Sequence, residues 1–219
     1  MSGTNHYTTK GLYNKYDKNH KEREKTDYYA TPTVEVENIL NTLSLDFSFK
    51  TILEPCVGGG HMLKGIYNYL KNTAVGNQTT IIATDLHEHE LIEEFKAINT
   101  GELFDFLGDD YPVVDAVDWI IMNPPYATIE PFTIRALEIA RKGVIMLGRI
   151  QFLEGSGRYE NIFIENPPTD VYIYVDRIQC WKDGIEPTGS SAQGYAWYVW
   201  YKDVAVTSPR LHWIRRADK

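Results

Sequence analysis

Asn123-Pro124-Pro125-Tyr126 is the part of this 219-residue chain whose composition is hardest to explain as a plain turn. Two successive prolines fix the backbone and remove two N–H donors. What remains are carbonyl acceptors, one carboxamide and an aromatic ring. Such a set accepts hydrogen bonds and stacks a flat group, which suits a planar amine and not an anion. A conjugated exocyclic amine is a poor nucleophile because its lone pair is delocalised into the ring. Two acceptors gripping its hydrogens favour a pyramidal nitrogen with the lone pair turned outward, and that stabilisation grows toward the transition state. A methyl sulfonium held in line needs no metal and no covalent intermediate; alignment supplies much of the rest.

Three further polar clusters have the composition of a ligand site. In Glu54-Pro55-Cys56-Val57-Gly58-Gly59-Gly60 the glycines let the backbone approach a ligand closely. The pattern is not Gly-x-Gly-x-x-Gly, and Glu54 would repel a pyrophosphate; a zwitterion whose ammonium meets Glu54 fits better. Asp85, beside Leu86, comes about 30 residues later, where a carboxylate accepts both hydroxyls of a ribose. It is equally placed to cap a following helix. Asp105-Phe106 offers an acceptor beside an aromatic face, which suits an adenine ring.

The elements that would position these clusters alternate strand and helix. Thr51 to Leu53, Ile81 to Ala83, Trp119 to Met122 and Val144 to Leu147 are short apolar strands. Thr31-Pro32 reads as a hydroxyl cap and first-turn proline opening a helix with Val36, Ile39, Leu40 and Leu43 on one face. Helices are also expected over Met62 to Leu70, His87 to Ile98 and Phe132 to Ala140. Fully apolar strands in such alternation imply a parallel sheet covered on both faces. Val171 to Val175 and Tyr195 to Tyr201 lack a helix between them, so they should form an antiparallel pair closing the sheet. The expectation is therefore an α/β fold: a mostly parallel, Rossmann-like sheet with a terminal antiparallel hairpin. In such sheets ligands bind beyond the carboxyl ends of the strands, where all four clusters fall.

The length fits one domain, here residues 28–206, with a basic, flexible arm expected over 1–27 and a basic tail over 207–219. The net charge of -8 argues against a nucleic-acid partner only until its distribution is read. Residues 1–27 carry +2 and residues 202–219 carry +3, leaving -13 for the stretch between. A chain with basic ends can meet phosphates locally, although solvated tails account for the same charges. No apolar run is long enough to span a membrane, the polar N-terminus is not a secretory signal, and the two cysteines cannot build a disulfide framework or zinc knuckle. A cytoplasmic home is the expectation. His87-Glu88-His89-Glu90 lacks the spacing of a helical metal site and reads as a solvated face, so no metal is expected. Cys56 reads as a packing residue.

The clusters, in their order, resemble the S-adenosylmethionine-dependent DNA adenine-N6 methyltransferases, particularly the small phage and prophage-type enzymes. The resemblance runs from about Asp27 to Tyr201. It implies the class I methyltransferase fold, with S-adenosylmethionine as cofactor and DNA as partner. Asp27-Tyr28-Tyr29-Ala30-Thr31-Pro32 resembles the motif that touches the cofactor's methionine end, placing Tyr29 and Thr31 there. Glu54, Pro55, Gly58 and Gly60 fall in the cofactor loop, Asp85 and Leu86 at the ribose, and Asp105 and Phe106 at the adenine. Asn123 Oδ1 and the Pro124 carbonyl would hold the target amine, Pro125 would stiffen the loop, and Tyr126 would stack on the base. Arg149-Ile150-Gln151-Phe152-Leu153-Glu154-Gly155 and the Tyr195–Trp200 strand also resemble the phage subgroup.

Two departures stand out. Gly59 occupies a position where an acid often stands. No stretch is long enough to be a separate target-recognition domain, so reading a site would fall to loops, the basic ends, a second copy of the chain or an accessory protein. Trp181 is a candidate second stacking ring, or else an aromatic packed under the Gly184–Gly194 loop. Arg149 and Arg158 are candidate phosphate contacts, or surface arginines. RNA adenine is the alternative substrate; a methyltransferase-like subunit that binds DNA without chemistry is the alternative class.

Overall fold

The computed structural model describes residues 28–73, 78–93, 102–112, 117–189 and 192–217. The arm expected over 1–27 lies outside them. Eight strands form one sheet in the order β10-β7-β9-β6-β5-β2-β3-β4. They are β2 (Thr51–Glu54), β3 (Thr80–Asp85), β4 (Glu102–Leu103), β5 (Trp119–Met122), β6 (Gly143–Arg149), β7 (Asp170–Tyr174), β9 (Tyr195–Tyr201) and β10 (Arg210–Ile214). A separate two-stranded ribbon pairs β1 (Tyr29–Ala30) with β8 (Trp181–Lys182).

Neighbours in the sheet are parallel except around β9, which runs antiparallel to both β6 and β7. The expected antiparallel pair is therefore present, and its second strand is wedged between its partner and the parallel block. The expected tail is corrected over Arg210–Ile214, which extends the sheet as a strand parallel to β7. Buried Asp170 fixes it there by accepting from Arg210 Nε at 2.8 Å, Arg210 Nη2 at 2.7 Å and His212 Nε2 at 2.7 Å.

Alternation along the strands divides the core in two. Ile145 and Leu147 of β6, with Trp197 and Val199 of β9, face helices α1 (Thr33–Leu43) and α2 (His61–Lys71). Val144, Met146, Ala196, Tyr198 and Trp200 face α3 (Ile129–Ile139) on the other side. Burial of both faces is why these strands read as unbroken apolar runs.

Two expectations about helix starts need correction. Pro32 is the N-cap of α1, and no side chain caps that helix; the Thr31 hydroxyl is turned toward the site. Residues 87–92 form no helix, because Asp85 Oδ1 takes the His87 N–H at 2.9 Å and turns the chain tightly after β3. Residues 94–98 of that expected helix lie outside the described residues.

Candidate functional site

The carboxyl ends of β2, β3 and β5 and the loop after β4 converge on one cleft of about 740 Å³, partly open to solvent. Every residue expected at the cofactor lines it except Gly60, which stands behind the loop as the N-cap of α2 with φ 87°. At Gly58, φ is +51° and an added Cβ would lie 2.1 Å from the Tyr28 ring, so only glycine fits. Tyr28 holds this loop closed. Its hydroxyl accepts the Gly59 N–H at 2.8 Å and lies 3.1 Å from His61 Nδ1. Asp85 braces the same loop, since Oδ2 accepts the Gly58 N–H at 2.8 Å. Its two oxygens thus each serve the backbone already, and a ribose would use their remaining lone pairs.

Glu54 lies at the floor of the cleft. It is only 1% exposed, and its Oε2 has no hydrogen-bond partner. Burial, reinforced by the charge of Asp85, holds its carboxyl well above the usual carboxylate range. A cation placed against it would relieve both effects. Glu54, Asp85 and Asp105 line a cleft that favours positive charge, together with histidines 61, 87 and 89. Among the described residues no cluster could hold a metal ion. Burial also pushes the Cys56 thiol well up, which makes it a poor nucleophile. Phe106 borders the cleft from within the core, 5.2 Å from Tyr111 and 5.1 Å from Phe132 between ring centroids.

Asn123 and Pro125 form the cleft wall at the end of β5. The Asn123 carboxamide is oriented by its donor end: Nδ2 donates to the Tyr29 carbonyl at 2.9 Å and to Thr31 Oγ1 at 3.1 Å. Its Oδ1 is buried and has no partner. Thr31 therefore acts on the Asn123 loop rather than on the helix, and the Tyr28–Pro32 segment joins the glycine loop to the tetrapeptide. Pro124 is buried behind Asn123, and Tyr126 sits beside the cleft without lining it. The Tyr126 hydroxyl donates to that of Tyr195 at 2.9 Å. The Arg149 guanidinium carbon stands 4.0 Å from the centre of the Tyr126 ring.

The remaining candidates separate. Trp181 lies in β8 opposite Ala30, edge-on to His61 at 5.5 Å, and faces a second groove shared with Pro32, Arg177 and Arg216. It does not reach the main cleft. Arg158 is committed to its own loop, donating to the carbonyls of Phe152 at 2.9 Å and Gln151 at 3.1 Å, and to that of Glu154. Tyr28 and His61 also line the cleft, as do His87 and His89, which corrects the expectation of a solvated face for those two. Adjacency of Tyr28 to Tyr29 in the upstream motif was the available signal; the histidines gave none, since their placement depends on the turn after Asp85.

No family model matches the sequence, and none of the curated proteins compared with it matches either. Solved structures do. A type I restriction-modification methyltransferase subunit from Streptococcus thermophilus superposes with a TM-score of 0.59 at 12% identity, over 86% of this chain and 47% of that one. The fold is that of the class I methyltransferases. A candidate RNA methyltransferase from Pyrococcus horikoshii gives 0.51 at 20% identity, covering 81% of this chain and 88% of that one. A candidate hemolysin from Lactococcus lactis gives 0.57 at 11% identity, covering 85% and 94%. This chain spans about half of the restriction-modification subunit. The diversity of these proteins at such low identity makes the likeness one of fold, so chemistry must be argued from the site.

Proposed function

We propose that this protein transfers a methyl group from S-adenosylmethionine to the N6 amine of adenine in DNA. The observation that carries the reading is the state of Asn123: its donor end is fixed by Tyr29 and Thr31, and its acceptor oxygen is buried, unpartnered and at the wall of an acidic cleft. A buried acceptor left unsatisfied costs roughly 1–3 kcal/mol, so such an atom calls for a ligand donor.

The cleft residues fit the cofactor. Glu54 Oε2 offers a buried carboxylate to its ammonium, Asp85 the ribose, and Asp105 with Phe106 the adenine. When bound, the cofactor supplies an electrophilic methyl carbon on a sulfonium. The chain's part is to orient the amine. Asn123 Oδ1 accepts one amine hydrogen, and the Pro124 carbonyl accepts the other by resemblance to the family. Pro124 and Pro125 bring no N–H that could compete for the nitrogen lone pair. Tyr126 stacks on the base, and the amine's surplus proton leaves to solvent after transfer. Extruding adenine from a duplex costs a few kcal/mol; stacking on an aromatic ring offsets roughly 1–3 kcal/mol of it. By resemblance, the Asp27–Pro32 motif favours a nucleic-acid substrate and Asn123 favours adenine, with RNA adenine as the alternative target. Site selection would rest on loops, on the basic ends or on a second protein copy.

The test is incubation of unmethylated genomic DNA, and in parallel total RNA, with labelled cofactor, followed by nucleoside mass analysis. N6-methyladenine in the DNA arm is the expected result. Asn123→Ala should lower turnover by at least about a hundredfold while cofactor affinity changes little. Equal turnover in that variant refutes the role given to Asn123.

A further inference from the structure

The ring expected beneath the target base is not bare. Three side chains surround Tyr126: Tyr29 at 5.3 Å and Tyr195 at 6.4 Å between ring centroids, and the Arg149 guanidinium at 4.0 Å over the ring. The two tyrosines are anchored, Tyr29 in the β1–β8 ribbon and Tyr195 in β9 with its hydroxyl bonded to Tyr126. Arg149 differs. Its backbone is fixed at the end of β6, opposite Tyr195, with its carbonyl accepting from the Tyr198 hydroxyl at 2.9 Å. Its side chain is seated but poorly bonded, for Nε is buried and meets no hydrogen-bond partner. A guanidinium is planar like a base and stacks on aromatic faces. A buried N–H left unpaired gains free energy when it finds an acceptor. The side chain therefore covers Tyr126 while retaining a reason to leave.

We propose that Arg149 is a placeholder for the target base, covering the stacking face of Tyr126 in the free protein and giving it up when the base enters. Its Nε–H then becomes available to a phosphate oxygen of the same strand. The inference rests on residues 123–126 being the amine-methylating site, and it makes Arg149 a positioning residue. Entry of the base and capture of the backbone become one event, and the platform stays closed to other flat groups until then. Arg158 could not serve in this way, because its guanidinium is tied to the carbonyls of its own loop.

The test compares wild type, Arg149→Ala and Arg149→Gln in methyl transfer from labelled S-adenosylmethionine to an adenine-rich single-stranded oligonucleotide. Low salt and about 0.5 M salt are both used, because high salt suppresses phosphate contacts. Removing a cation stacked on an aromatic ring should lower KM about three- to tenfold at high salt in both variants. At low salt the lost phosphate contact should cancel part of that gain. An oligo-thymidine competitor should bind no more tightly to the variants than to wild type, since it carries no adenine to gain the vacated face. Unchanged or raised KM at high salt overturns the placeholder role. So does a loss of cofactor binding in step with a lower melting temperature, which marks Arg149 as structural. The glutamine variant carries the test if the alanine variant does not fold. Wild type that methylates neither DNA nor RNA refutes the site assignment itself, a failure read before any variant is compared.

Discussion

Replacing Glu54 with glutamine should strengthen the free protein and weaken its hold on the cofactor. Glu54 is buried without a partner for Oε2, and its carboxyl is held well above the ordinary value of 4.5. A carboxyl with a raised folded-state pKa binds a proton that the unfolded chain releases. Its contribution to stability is whole below pH 4.5 and is lost as pH rises through the folded-state value. The slope is about 1.4 kcal/mol per pH unit for one proton. Glutamine does not titrate, so the variant should gain on wild type by about 1.4 kcal/mol for each pH unit above 4.5 until the folded-state value is passed, and each kcal/mol is worth about 2–4 °C in melting temperature for a domain of this size. The cofactor reverses the sign. An ammonium against Glu54 favours the carboxylate, so binding to wild type should release a proton and tighten with pH over the same window. Losing that charge-assisted contact should weaken binding about 10- to 100-fold in the variant. Melting curves across pH, with and without cofactor, and calorimetry in buffers of different ionisation enthalpy measure all three effects. A melting difference that stays flat with pH, or equal cofactor affinity in the two proteins, would refute the reasoning about Glu54.

Gly58→Ala forces a side chain into the Tyr28 ring at a left-handed backbone position; cofactor binding should be lost or weakened at least tenfold, as calorimetry would show. Tyr126→Ala removes the ring proposed to stack on the base and should raise KM for oligonucleotide by about 5- to 100-fold with little change in cofactor affinity. Asp170→Ala unfastens β10 and should cost about 1–3 kcal/mol, toward the low end because Arg210 is largely exposed. Burial alone would raise the Asp170 pKa, but the bonds from Arg210 and His212 outweigh it and lower it below 3.8. Wild type should therefore lose this contribution as pH falls through that depressed value, and the variant should not; acid melting curves separate them.

The parallel block was legible because strands buried on both faces carry no polar interruptions, and because each ends in a cluster unsuited to a strand. Glu54, Asp85, Asp105 and Asn123 are far apart in the chain, yet the carboxyl-end rule brings them to one cleft. What escaped sequence reading was decided by tertiary bonds. Arg210–Ile214 lies in a basic terminal stretch that reads as a tail, and it is held by one buried carboxylate 40 residues upstream of Arg210. The turn after β3 looked helical because Asp85 can cap a helix, but its Oδ1 serves a tight turn and its Oδ2 the glycine loop. Arg149 and Arg158 look alike in sequence; only the acceptors around each distinguish a guanidinium stacked on Tyr126 from one spent on its own loop.

The wedged position of β9 has a consequence for synthesis. As the chain leaves the ribosome, β2 through β6 emerge and can pair, but β6 then carries an unpaired edge of backbone N–H and C=O groups, with apolar side chains on both faces, until Tyr195–Tyr201 arrives. Insertion of that strand is a long-range event, slow compared with the local pairings. Nascent chains stalled between the two strands should be the most aggregation-prone species this protein produces, and a chaperone that shields one strand edge would serve it best.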